Sequence, residues 1–360
     1  MFAITDILNE PVYALERARK ETVFSQALGD LTRRHYAGCP EYRKILDLMG
    51  FDTNRVTRPE DFPFLPVRLF KEYDLLSVPR EEIVKVMTSS GTSGQQVSRI
   101  FLDRETSSNQ TKVLVKIVSS FLGNQRLPML IVDSRGAIKE RNQFSARGAG
   151  ILGFSVLGRD QTYALDENMD LDMDIVDAFL GRHREGPVML FGFTYMIWEH
   201  LLQPIKSRGL KLDLNEGIIV HGGGWKKLME LSVDNDTFKK TAREACGVRR
   251  VHNYYGMVEQ AGSIFMECGE GHFHAPSFSD VVIRDPRNFS SRGPGEQGII
   301  QLLSLLPGSY PGHSILSEDL GELVGVDNCA CGRKGKYFHI HGRLKDAELR
   351  GCSDAYAASR

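Results

Sequence analysis

The stretch VMLFGFTYMIWEHLLQPI runs from Val188 to Ile205. Val188 to Phe193 is an unbroken apolar run of strand length, and Ile197, Leu201 and Ile205 then recur at fourfold spacing, which puts them on one helical face. A buried strand that feeds an amphipathic helix is a βα unit. Moving outward, apolar strand-like runs recur at Leu127 to Val132, Ile218 to Val220 and Val251 to Tyr254. The pattern predicts an α/β chain with a mostly parallel sheet, whose ligands sit at the loops that follow the strands.

The flanks read differently. Phe24, Leu28, Leu31 and His35, then Tyr42, Ile45, Leu46 and Met49, keep helical spacing, so the first fifty residues are expected to be largely helical. Pro59, Pro63 and Pro66 break that continuity before a short helix near Arg68 to Leu75. Toward the other end, Ile299 to Leu306 and Leu316 to Val326 are short runs with Gly and Pro turns, which predict a smaller antiparallel β portion.

A chain of 360 residues exceeds one ordinary core and implies two or three subdomains. A formal net charge of −1 excludes a broad nucleic-acid or anionic-membrane surface. Asp6 and Glu10 stand where a secretory signal would carry basic and apolar residues, and no span of about 18 apolar residues occurs, so no membrane span and a cytoplasmic location are expected. The six cysteines then read as buried, metal-binding or reactive groups.

Four segments carry chemistry. In TSSGTSGQ, Thr88 to Gln95, hydroxyls alternate with Gly91 and Gly94 after an apolar run, which is how a backbone cradles phosphate. No lysine closes the run, so it is not a Walker-type loop, and no glycine completes a nucleophile elbow. Gly148, Gly150 and Gly153 fit a dinucleotide spacing but lack a preceding strand. VHGGGWK, Val220 to Lys226, and NYYGMVEQ, Asn253 to Gln260, each follow a strand-like run; Glu259 is suited to a divalent cation beside phosphates. SEDLGELV, Ser317 to Val324, offers Asp319 in a turn-like context, where a carboxylate matches a ribose diol. HGRLKDAELRGC, His341 to Cys352, is basic and ends in a thiol. Separately, Cys268, His272 or His274, Cys329 and Cys331 make a Cys₃His metal set.

Taken in order, TSSGTSG, GGGW, YYGMVE, SEDLG and GRLKD resemble the motifs of the adenylate-forming superfamily across residues 60 to 352. With PVRLFK at Pro66 to Lys71, HGGGWK and the RGC near the end, the chain is most similar to the acyl-protein synthetases of bacterial fatty acid reductase complexes, the LuxE type. Phenylacetate-CoA ligase-like proteins are the next relatives by pattern. The resemblance implies an ATP- and AMP-binding ligase of α/β fold, with residues 1–75 a helical accessory region, 76–345 the AMP-binding domain and 346–360 a tail. Its full architectures continue for about a hundred residues with a catalytic lysine; stopping at Arg360 implies a truncated C-terminal domain.

By the same resemblance, Ser89, Ser90, Gly91, Thr92, Ser93 and Gly94 hold the ATP phosphates. Gly222, Gly223 and Gly224 line the adenine and acyl pocket, Tyr255 beside Gly256 stacks on adenine, Glu259 binds Mg²⁺, Asp319 takes the ribose and Arg343 faces ribose or phosphate. Phenylacetate-CoA ligase-like proteins carry a cysteine, a histidine six positions on and a CxC pair, which selects Cys268, His274, Cys329 and Cys331 for a structural Zn²⁺. Cys352, nine residues beyond Arg343, is the implied acyl acceptor: a thiolate suits the mixed anhydride of an acyl-adenylate. The expected function is activation of a fatty acid to acyl-AMP, capture as a protein thioester and delivery to an acyl reductase, acyltransferase or carrier protein. Two alternatives stand beside it, an acyl- or aryl-CoA ligase and a non-catalytic nucleotide-binding module.

Overall fold

A computed structural model describes residues 4–55, 57–89, 96–138, 146–214, 216–225 and 233–344. It divides into two compact units, one holding residues through Ser89, Gln96–Ile117 and those from Gly256 on, the other Val118–Tyr255.

The first unit opens with α1 (Thr5–Leu8), α2 (Arg17–Gly38) and α3 (Pro40–Met49). Pro40 starts α3, where its missing N–H costs nothing, and Gly50 ends it in the left-handed region at φ 62°. Phe24, Leu28 and His35 of α2 are buried as their spacing predicts. After β1 (Leu65–Pro66) and α4 (Leu69–Glu72), strands β2 (Ile83–Thr88) and β3 (Arg99–Asp103) pair antiparallel, with Thr88 opposite Arg99. The Ser/Gly run Thr88 to Gln95 joins these two strands in the sequence, and its residues 90–95 lie outside the described residues. Helix α5 (Arg104–Leu122) follows.

The second unit is a doubly wound parallel sheet. Its strands β4 (Leu127–Ile131), β5 (Gly158–Tyr163), β6 (Met189–Phe193), β7 (Ile218–Gly222) and β8 (Arg250–Tyr255) lie in the order β5-β4-β6-β7-β8. The crossovers are α6 (Ala146–Ser155), α7 (Met173–Arg182), a continuous helical segment of α8 (Thr194–Ile197), a π turn and α9 (Gln203–Ser207), and α10 (Asn235–Cys246). Asp172 caps α7 by accepting from Ile175 N at 3.0 Å, and Asp234 caps α10 from Thr237 N at 2.7 Å. Leu130, Leu190, Ile197, Leu201, Ile205 and Ile219 form one buried core, so the opening stretch packs as its spacing requires. Gly148, Gly150 and Gly153 lie inside α6, which removes the dinucleotide reading.

The chain then returns to the first unit with β9 (Phe265–Glu267), β10 (Phe273–His274), β11 (Ser279–Arg284), β12 (Gln297–Ser304), β13 (Ser314–Val326) and β14 (Lys336–Arg343). These form an antiparallel sheet in the order β11-β12-β13-β14-β10-β9, with β1 added in parallel to β13. The sequence runs located β12 and β13; four further strands complete the sheet.

Two histidines stack inside this unit. The rings of His35 and His313 lie 4.9 Å apart at 25°, both fully buried. His35 Nε2 donates to the Pro307 carbonyl at 3.1 Å, so its Nδ1 accepts from the Ser77 hydroxyl at 2.8 Å. Burial holds His35 well below its ordinary pKa and pushes His313 down to about 3. The folded chain keeps both neutral, whereas the unfolded chain protonates them below about pH 6.5. Their contribution is thus intact above that pH and is lost as pH falls, by up to about 2–3 kcal/mol per pH unit for two protons. Urea midpoints should be flat from pH 8 to 7 and fall steeply between pH 6.5 and 5. A level profile down to pH 5 would show that the pair protonates without cost.

Candidate functional site

The residues expected to hold a nucleotide are divided between the two units. In the first, Ser89 follows β2, and its hydroxyl accepts from Ser98 N at 2.9 Å while its own N–H donates to Ser98 O at 3.1 Å. This reciprocal clasp closes the neck of the hairpin loop. Asp74 fixes the base from outside, accepting from Arg80 at 2.9 Å and Arg99 at 2.7 Å. Ser90, Gly91, Thr92, Ser93 and Gly94 lie outside the described residues, as does Cys352.

Gly256 is held close against Ile264, whose Cγ2 a Cβ would meet at 2.9 Å. Glu259 sits on the 3₁₀ turn Val258–Gln260, 4% exposed. Two buried bonds pin that turn: Tyr310 OH donates to the Glu259 carbonyl at 2.8 Å, and Gln260 Nε2 donates to Gly312 O at 2.8 Å. Burial raises the Glu259 pKa, and the nearby Ser98 hydroxyl, Lys71 and Arg343 oppose the rise. A carboxylate so placed is poised for a cation, which would replace the water it has lost.

Asp319 is not in a turn. It lies within β13, directly opposite Arg343 of β14, whose Nε is 3.5 Å from Asp319 Oδ1 and whose Nη2 is 3.8 Å from Glu318. The Glu-Asp-Leu-Gly sequence resembles a turn, but strand pairing on both sides overrides it, with a register irregularity at Leu320/Gly321. The pair was legible as two motifs; their cross-strand contact was not.

In the second unit, Gly222, Gly223 and Gly224 follow at the carboxyl end of the sheet, where open α/β sheets take their ligands. A Cβ on Gly222 would stand 2.5 Å from the Tyr254 ring, and Gly223 has φ 79° with Phe193 at 2.9 Å. Only glycine fits either place. Tyr255, half-buried, ends β8. Sequence reasoning missed two polar pairs here. Thr194 Oγ1 lies 2.9 Å from His221 Nδ1 and donates to Gly222 O at 3.2 Å, fixing the glycine turn from beneath. Asp133, just past β4, has Arg147 Nε at 3.1 Å; burial nonetheless pushes Asp133 up to about 6. An acidic residue straight after an apolar strand was the available signal.

The first unit also assembles Cys268, His274, Cys329 and Cys331, whose candidate ligand atoms all lie within 4.8 Å of one another. Cys268 Sγ and Cys329 Sγ are 4.0 Å apart, and Cys331 Sγ is 3.3 Å from His274 Nε2. A tetrahedron with Zn–S of about 2.3 Å and Zn–N of about 2.0–2.1 Å has edges of roughly 3.8 and 3.5 Å, so these donors fit such an ion. Burial, with Arg333 adding to it, pushes His274 down to about 3, which keeps the imidazole neutral with a lone pair to give. His272 stands beside the set, its Nδ1 3.4 Å from Cys329 Sγ.

The chain matches the model of the family described as "Acyl-protein synthetase, LuxE" over residues 3–359. It is 22% identical to a long-chain-fatty-acid–luciferin-component ligase of Vibrio harveyi, covering 89% of this chain and 83% of that protein. It is 24% identical to a phenylacetate-coenzyme A ligase of Thermus thermophilus, covering 89% and 69%. Among solved structures, a 2-hydroxyisobutyryl-CoA ligase in complex with 2-HIB-AMP and CoA superposes with a TM-score of 0.73 at 19% identity, covering 93% of this chain and 77% of that one, and shares its fold. The chain belongs to the LuxE acyl-protein synthetase family and is a ligase with the adenylate-forming fold.

Proposed function

We propose that this chain activates a long-chain fatty acid with ATP and takes the acyl group onto Cys352. In the first step a carboxylate oxygen attacks the α-phosphorus, the bond to the β-phosphate oxygen breaks and pyrophosphate leaves. In the second the Cys352 thiolate attacks the acyl carbon and AMP departs with the bridging oxygen. A free thiol of pKa about 8.5 is only about 3% ionised at pH 7; on this reading Arg343, Lys345 and Arg350, all within nine positions of Cys352 in the sequence, would supply the positive field that favours the thiolate.

One observation carries the reading: buried Glu259, with two cations acting on it, lies in the same unit as the cross-strand pair Asp319–Arg343. On this reading Asp319 takes the ribose hydroxyls, Arg343 the ribose or phosphate, and Tyr255 and the Gly222–Gly224 turn the adenine and acyl group. The hairpin loop from Ser89 to Gly94 wraps the phosphates. Glu259 would hold Mg²⁺, which supplies charge neutralisation on the leaving pyrophosphate. The Cys₃His set would hold a structural Zn²⁺. Delivery to an acyl reductase, acyltransferase or carrier protein would follow.

The cysteine–histidine set and the Thermus relative favour a second reading, an acyl- or aryl-CoA ligase with free CoA as acceptor. Exchange of labelled pyrophosphate into ATP across short, long and aromatic acids tests activation. Product formation that requires CoA and ignores Cys352 would select the second reading.

A further inference from the structure

We infer that Lys71, from the PVRLFK segment, supplies from a separate element the phosphate-facing cation that the run Thr88 to Gln95 lacks. The inference rests on the adenylation reading above.

The backbone places Lys71. β1 runs parallel to β13 with Leu65 beside Ile315 and Pro66 beside Leu316, and Val67 N donates to Leu316 O at 3.0 Å. The pairing ends with Pro66 level with Leu316, the residue before Ser317, Glu318 and Asp319 of β13. The chain then turns into α4, anchored by Phe70. That ring is fully buried and packs edge-on against Tyr310, with centroids 6.2 Å apart at 86°. Tyr310 is the residue whose hydroxyl holds the Glu259 carbonyl. Seating Phe70 therefore ties the next residue, half-buried Lys71, to the turn that carries Glu259. Arg68, the other cation of the segment, is 67% exposed and lies 4.0 Å from Glu72.

Charge gives this placement its meaning. Lys71 and Arg343 both act on the Glu259 carboxylate. Arg343 also faces Asp319 at 3.5 Å and Glu318 at 3.8 Å, so its charge is divided among three carboxylates. A triphosphate and a carboxylic acid add further negative charge. In a Walker-type loop the balancing lysine ends the glycine run; here Gln95 and Gln96 follow Gly94. As the acid's oxygen bonds to the α-phosphorus and the bond to pyrophosphate breaks, the Lys71 side chain pairs with the non-bridging phosphate oxygens. Such a group stabilises charge that develops in the transition state more than it binds substrate.

The test compares Lys71→Met and Lys71→Arg with wild type by acid-dependent pyrophosphate exchange, with Tm measured on each. Lys71→Met should lower the exchange kcat by about 10²-fold, with KM for the acid changed less than about threefold and Tm unchanged. Lys71→Arg should recover at least about tenfold of that loss. A Lys71→Met enzyme within about threefold of wild type would overturn the inference. So would two variants that lose activity and Tm alike, the mark of a merely structural lysine. Wild type that exchanges with no acid in the panel would overturn the adenylation reading and this inference with it.

Discussion

Cys352→Ala is expected to abolish the hydroxylamine-labile adduct formed from ATP and labelled fatty acid, while acid-dependent pyrophosphate exchange stays within about twofold of wild type. The two readouts separate because the half-reactions use different groups. On the proposed reading, adenylation uses the phosphate loop, Glu259, Asp319 and Arg343, and only the transfer uses a thiol. The geometry limits where that thiol can act. Arg343 stands 3.5 Å from Asp319 and is nine residues from Cys352, and nine extended residues span at most roughly 30 Å. The sulfur thus has the reach to meet an adenylate whose ribose is held by Asp319. Two of the described cysteines are poor substitutes: burial pushes Cys39 up to about 11 and Cys246 up to about 12, so neither offers a thiolate near neutral pH, while Cys268, Cys329 and Cys331 are gathered in the Cys₃His set. If Cys352→Ala labels as well as wild type, the acceptor is elsewhere.

The second large effect concerns the Cys₃His set. Purified protein should carry about one zinc per chain, and Cys329→Ser should lose it along with about 3 kcal/mol or more of stability, which for a unit of this size is roughly 6–12 °C in Tm. The loss should reach the N-terminal residues, because the loops that carry the Cys₃His set hold them. Lys334 N donates to Tyr13 O at 3.0 Å, Tyr13 packs edge-on against His274 at 6.0 Å, and Asp327 accepts from Arg17 N at 2.9 Å at the start of α2. Lys20 of α2 donates to the carbonyls of Ala275 and Pro276, at 3.1 and 2.9 Å, just past His274. Chelation should therefore expose protease sites near residues 9–17 before the parallel sheet unfolds. His272→Ala, which removes the neighbouring imidazole, should keep the zinc. Protein that purifies without metal, and a Cys329→Ser variant with unchanged Tm, would instead mark these thiols as plain buried groups.

The βα order was legible because Val188 to Ile205 states both periods in one stretch, and because apolar runs recur at β4, β6, β7 and β8; β5, whose sequence GRDQTY is polar and partly exposed, gave no such signal. The antiparallel sheet was only half legible. β10 spans two residues, and β11 buries Ser279, Asp280 and Arg284 among its valines, so neither shows a clean alternation. Asp280 is tolerated there because Lys336 at 2.9 Å and Lys20 at 3.6 Å pair with it. Long-range pairing hid the rest. His35 and His313 stack across most of the sequence, Asp319 meets Arg343 only through strand register, and Asp133 finds Arg147 in the following helix. The cysteine–histidine set was legible since residue type alone narrows its chemistry, and the fold then brings two distant pairs together.

Joining a carboxylic acid to AMP is the step on which every later transfer depends. Pyrophosphate exchange measures that step alone, independently of the final acceptor. Exchange of labelled pyrophosphate into ATP should require both Mg²⁺ and an added acid, be strongest with long-chain fatty acids and survive Cys352→Ala. Absence of acid-dependent exchange across short, long and aromatic acids, from folded protein that binds ATP, would contradict it.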